Sequence, residues 1–156
     1  MASDRIRESV IAGSWYPAEP DRLKRQINGY LSAANPNSIE GELFGIISPH
    51  AGYMYSGGIA AYAYKLLQER PFKRILILAP SHHSRFPGSS IYNLGGYRTP
   101  LGVVPLDHEL IKSLDDHGAL IKYNPDADLR EHSLEIQLPF LQMVLPRFTI
   151  IPVTMG

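Results

Sequence analysis

The chain has 156 residues, 44% of them hydrophobic and 19% charged, a composition that builds a packed core and excludes an intrinsically disordered chain. Its fifteen basic and fifteen acidic residues cancel without forming a basic block, so no nucleic-acid partner is expected. There is no cysteine, which excludes disulfides and thiolate ligands within this sequence. No apolar run approaches the roughly 20 residues of a bilayer span, and "MASDRIRESV" has no secretory apolar region. The expectation is a cytoplasmic protein with no membrane partner.

The segment "SVIAGSWYPAEP" is irregular and carries the one tryptophan, Trp15. Leu23, Ile27, Tyr30 and Leu31 then recur at helical spacing and predict a helix from about Pro20 to Ala33. "NPNSIEGE" reads as a loop. "LFGIIS", Leu43 to Ser48, is a short continuous apolar run and predicts a strand. "SGGIAAYAYKLLQER" predicts a helix capped by Ser56, with Ile59, Ala63, Leu66 and Leu67 as its apolar stripe. "RILILA" predicts a second strand, which completes a βαβ unit in a sheet covered on both faces.

The middle, "SSIYNLGGYRTPLGVVPLD", suits short strands or a β-ribbon insertion. "DHELIKSLDDHG" predicts a helix capped by Asp107 and stopped by Gly118, with Leu110, Ile111 and Leu114 facing inward. In "EHSLEIQLPFLQMVL", Leu134, Leu138, Leu141 and Leu145 share a helical face, and Pro139 marks a kink or a helix start. "FTIIPVTMG" predicts a third buried strand. The expected architecture is a single α/β domain over residues 1–156, a mostly parallel sheet flanked by helices. Three strong strands and no helix after the last one suggest the N-terminal half of a larger unit.

Ligands in open parallel sheets bind beyond the carboxyl ends of the strands. His50 lies just past the first strand, and His82 and His83 lie just past the second. If the strands are neighbours, imidazoles from both point into one crevice. Imidazole is the commonest metal ligand, and two histidines with a carboxylate form the facial set of non-haem iron. The same pair also suits acid–base work or anion binding, and a single histidine after a strand is commonly a hydrogen-bonded structural residue.

"LREHSLEIQLP" adds His132, readable as a third ligand, as a general base, or as part of a helix start with Ser133 as cap and Glu135 in the first turn. Arg130 and Glu131 read as solvated, and His108 and His117 as surface residues. Tyr53 and Tyr55 read as half-buried aromatics rather than pocket walls. The glycines after His50 leave a helix start able to hold an anion. There is no Walker lysine, no G-x-G-x-x-G and no G-x-S-x-G, so nucleotide-binding and serine-hydrolase readings fall away.

"AGSWYP", "SPHAGYMYSG", "LAPSHH", "YRTPLG" and "EHSLEIQLPFL", in that order, resemble the Memo family, named for mediating ErbB2-driven cell motility. Its prokaryotic members are protein B of the AmmeMemoRadiSam system. The resemblance runs from Ala12 to the final strand and implies a fold similar to class III extradiol, LigB-like dioxygenases, which are non-haem iron enzymes. It further implies that His50 and His82 are metal ligands for iron or copper, and that His83 is a pocket neighbour. His132 or His83 would move protons in a metal-dependent redox reaction. The family's later motifs, which include an Asp, a His and a Cys ligand, have no counterpart in this sequence. His132, Glu131 or a residue from a partner would have to stand in. A homo-oligomer, or association with a missing C-terminal half, is therefore expected. The alternative is a vestigial cleft that binds a peptide or small anion as an adaptor without catalysis.

Overall fold

The computed structural model describes residues 5–68, 70–117 and 120–156; the side chain of His117 and the helix stop at Gly118 lie outside the described residues. It is an α/β arrangement of two mixed sheets flanked by helices. A short strand β1 (Ile6–Arg7) leads through an irregular arm into α1 (Pro20–Ala33). Glu19 starts α1 by accepting the Asp21 and Arg22 N–H groups at 2.9 and 2.7 Å, and Pro20 sits where a helix needs no donor. Leu23, Ile27 and Leu31 are its buried stripe, as their spacing predicts.

Helix α2 (Tyr53–Lys65) begins earlier than the sequence suggests, and of the expected stripe Leu67 is buried and Leu66 packs against the core just past its end, while Ile59 does not face inward. Ser56 is not its cap; its hydroxyl donates to the Ala51 carbonyl at 2.8 Å. The buried side is Tyr53, Ser56, Gly57, Ala60, Ala61 and Tyr64, whereas Ile59 is exposed. Size decides this face. α1 crosses so close that a Cβ at Gly57 would stand 2.5 Å from Tyr30 Cε2. The Tyr30 hydroxyl then donates to the Tyr53 carbonyl at 2.8 Å and locks the two helices together.

β2 (Arg74–Pro80) follows, then β3 (Ser89–Ile91), the hairpin strands β4 (Gly96–Thr99) and β5 (Gly102–Pro105), and α3 (His108–His117). Asp107 caps α3 as expected, accepting the Leu110 N–H at 3.1 Å. His108 is exposed, as expected. β6 (Ile121–Lys122), the single turn α4 (Pro125–Asp128), a 3₁₀ turn at Glu135–Gln137, α5 (Leu138–Val144) and β7 (Thr149–Met155) complete the order. Pro139 falls in the first turn of α5, so it starts a helix rather than kinking one.

The larger sheet has the order β2-β7-β3-β6 and the smaller β1-β4-β5. β2 and β7 are parallel, as are β3 and β6, but β3 runs antiparallel to β7; in the smaller sheet β1 and β4 are parallel and β4 and β5 antiparallel. The sheets are thus mixed, with three of the five pairings parallel, and the short β3 enters the larger sheet in the reverse sense after the turn at Gly88. β7 is the central strand, with Ile150, Ile151 and Val153 buried on its two faces. A correction concerns Leu43–Ser48. The segment joins no ladder among the described residues, and its Phe44 and Ile47 are 89% and 99% exposed. Among the described residues no helix is long and apolar enough to cross a membrane.

Candidate metal centre

The carboxyl end of β2 turns at Ser81, whose hydroxyl donates to the Ser84 carbonyl at 2.7 Å and accepts the Ser84 N–H at 3.2 Å. This turn presents His82 and His83. His50 arrives from the end of the Leu43–Ser48 segment, and its ring centroid lies 5.1 Å from that of His82. His132, from the loop before the 3₁₀ turn, comes within 4.6 Å of His82 and 6.2 Å of His50. His83 sits at the margin, 5.9 Å from His132. Trp15 closes the other side, 4.2 Å from His132. The structure therefore brings together all four histidines singled out from the sequence, with His50, His82 and His132 as the inner three.

Glu131 is the residue that the sequence misplaces. Its side chain is only 2% exposed, not solvated. The carboxylate accepts the His82 N–H at 2.6 Å, the His132 N–H at 2.9 Å and the Ser133 N–H at 2.9 Å, and its Oε1 lies 3.0 Å from His82 Nδ1. Burial alone would raise its pKa. The donors from His82 and Ser133 outweigh burial and hold it at about 2. An ionised carboxylate only accepts hydrogen bonds, so His82 Nδ1 carries the hydrogen of this contact and Nε2 is the ring nitrogen that Glu131 does not engage. Glu131 also caps the turn, the role that the sequence suggests for Ser133. Ser133 instead donates its hydroxyl to the Pro80 carbonyl at 2.8 Å, which ties this loop to the end of β2.

His132 keeps 12% of its side chain exposed. Burial pushes its pKa down, with His82, His50 and His83 adding to that against the pull of Glu131. The shift favours the neutral imidazole, the form that can ligate an ion. His82, Glu131 and His132 each present a ligand atom, and these atoms lie within 4.8 Å of one another. Because four donors already converge on Glu131, its geometry suits orienting His82 better than coordinating an ion directly.

Beneath the cluster, Arg7 and Glu135 hold the loop in place. The Arg7 guanidinium reaches Glu135 Oε2 at 2.6 Å and donates to the carbonyls of Asp128 and Glu131. Glu135 is fully buried and accepts from the Ser9 and Tyr16 hydroxyls at 2.6 and 2.8 Å and from the Val10 N–H at 3.0 Å. Nothing in the local sequence pattern marks this pair; only the fold brings β1 and its arm against residues 128–135.

The fold and the cluster define the class: an α/β protein with a histidine cluster at the carboxyl end of β2. Residues 7–156 match the family described as Memo-like protein, and the chain belongs to that family. It is 36% identical over 157 residues to a MEMO1 family protein of Methanothermobacter thermautotrophicus, covering 96% of this chain and 57% of that protein. It is 39% identical over 155 residues to the memo-1 homolog of Caenorhabditis elegans, covering 98% of this chain and 44% of that protein. It is 38% identical over 160 residues to human Protein MEMO1, covering 99% of this chain and 53% of that protein. The chain thus spans about half the length of the relatives that it matches.

Proposed function

We propose that His50, His82 and His132 form a metal site for iron or copper, and that the chain belongs to a metal-dependent redox protein related to LigB-like dioxygenases. The observation that carries this is the convergence of three imidazoles from three separate segments, one shifted toward its neutral form by burial and one held by a carboxylate at Nδ1, which leaves Nε2 unengaged by it. The ligand atoms of His82, Glu131 and His132 already lie within 4.8 Å of one another. The His50 ring stands 5.1 Å from that of His82 and 6.2 Å from that of His132, so it joins a shared ion by turning toward the other two.

An ion held there supplies redox chemistry toward oxygen or an organic substrate. The residues do the rest. Glu131 fixes the His82 tautomer and its backbone. Trp15 packs on His132 and restricts water on that side. His83 stands at the rim, placed to exchange protons with solvent. The chain acts in this reading as one half of a Memo-like unit, with a small molecule or peptide as substrate.

Titration of the chain with iron(II) and with copper, against His50→Ala, His82→Ala and His132→Ala, tests this. Each substitution is expected to weaken uptake, and Glu131→Gln to weaken it by about 10–100-fold through the loss of its orienting bond. Uptake equal to wild type in His50→Ala and His82→Ala refutes the metal site. Peptide binding without metal that survives loss of both histidines would instead support the adaptor.

A further inference from the structure

The larger sheet is left open at β2. This strand pairs with β7 alone, and the direction of its backbone groups can be read from its two ends. The Lys73 carbonyl accepts the Thr149 N–H at 2.9 Å, and the Ser81 N–H donates to the Met155 carbonyl at 2.8 Å. Lys73 and Ser81 therefore face β7, and by alternation so do Ile75, Ile77 and Ala79. The N–H and C=O groups of Leu76 and Leu78 face the other way, toward a slot.

Leu43–Ser48 lines the same slot as β2 and joins no ladder among the described residues. The space between has a volume of ≈ 590 Å³ and is walled by Leu43, Ile46, Phe72, Ile75 and Ile77, with His50 at one end. If Leu43–Ser48 were the neighbour of β2, the two would lie at about 4.8 Å and leave no slot. Leu76 and Leu78 also stay 56% and 58% exposed, an uncovered apolar pair on an open edge. An unpaired strand edge and an apolar segment that joins no ladder thus line one gap.

The geometry points to a β-strand that inserts between Leu43–Ser48 and β2 and hydrogen-bonds to both. Its source is the part of a Memo-like sequence that lies outside the match. The relatives carry about as much sequence again as this chain covers, since it spans 57%, 44% and 53% of them. The apolar walls select an apolar strand, and the exposed Phe44, Ile47, Leu76 and Leu78 supply a surface for whatever flanks it. Run parallel to β2, such a strand ends beside His50 and His82. The inference stands on backbone geometry alone, so its failure and the failure of the metal site are separate results.

The test co-expresses the 156-residue chain with the remainder of the Methanothermobacter relative, the portion outside the match, and follows amide exchange residue by residue. The expected result is a one-to-one complex in which the Leu76 and Leu78 amides exchange about 100-fold or more slowly than in the chain alone. Leu78→Pro removes one slot-facing N–H without touching a bond to β7. It should prevent the complex while the β7 amides stay protected. A complex in which both amides still exchange freely overturns the inference, and so does full complex formation by Leu78→Pro. Slow exchange in the chain alone that rises with concentration, together with a dimer mass, overturns it in favour of a second copy. If no complex forms, the full-length Methanothermobacter relative decides. Protected amides at the two aligned positions support the inserted strand, and free exchange there overturns it.

Discussion

Asp128 is a buried carboxylate whose charge the fold only partly accommodates, and Asp128→Asn should expose that cost. The side chain lies under the site, with the Tyr97 hydroxyl 3.2 Å from Oδ1 and the Ser90 hydroxyl 3.4 Å from Oδ2. Burial raises its pKa from 3.8 to about 6, against the lowering effects of Arg7, Tyr97 and Ser90. The folded pKa is above the unfolded one. The contribution to stability is therefore fully present below about pH 3.8 and is lost as pH rises through about 6. The displacement corresponds to about 3 kcal/mol. Asparagine keeps the shape and the Tyr97 bond, and Ser90 has the Asn124 carbonyl at 3.3 Å as an alternative acceptor. Urea unfolding of both proteins from pH 4 to pH 8 isolates the effect, because groups common to the two cancel in the difference. Asp128→Asn should gain on wild type as pH rises, by about 1–3 kcal/mol across that range. A difference that is constant with pH refutes the reasoning.

Two further substitutions probe the scaffold. Arg7→Met strands the fully buried Glu135 carboxylate and frees two carbonyls, and should cost about 3–5 kcal/mol in urea unfolding; a loss near zero would show that Glu135 is held by its other donors. Gly57→Ala places a methyl 2.5 Å from Tyr30 Cε2, and the displaced ring should cost about 1–3 kcal/mol. Gly58→Ala meets nothing within 4 Å and should instead be neutral or stabilise α2 by up to about 1 kcal/mol. Equal thermal shifts for the two glycine variants would rule out close α1–α2 packing as the reason for the buried face.

Much of the frame is legible in the sequence because local chemistry dictates it. Helix α1 starts at Pro20, Asp107 caps α3, and Pro139 sits in the first turn of α5, each for a reason contained within a few residues. The buried face of α2 is not legible that way. Apolar content points to Ile59, but the partner helix approaches the small residues, and only the three-dimensional crossing reveals that Gly57 is the contact. The Leu43–Ser48 segment has the composition of a buried strand, yet it joins no ladder among the described residues and leaves Phe44 and Ile47 exposed, which local composition does not reveal.

The site divides along the same line. His50, His82 and His83 stand out because histidines after apolar runs are few and chemically distinctive, and His132 stands out by its residue type at a helix start. Glu131 and Glu135 do not, since acidic residues at a helix start are ordinarily solvated. Their burial follows from Arg7, more than a hundred residues away in the chain, and from the backbone donors that converge on Glu131. A sequence reading can therefore name candidate ligands while missing the carboxylate that orients one of them. Ligands are recognised by type, whereas an orienting residue is recognised by what donates to it. The same asymmetry makes Glu131→Gln more informative than another histidine substitution. It leaves every candidate imidazole in place and removes the negative charge that fixes the hydrogen on His82 Nδ1, so a fall in metal affinity would report orientation and not ligand count.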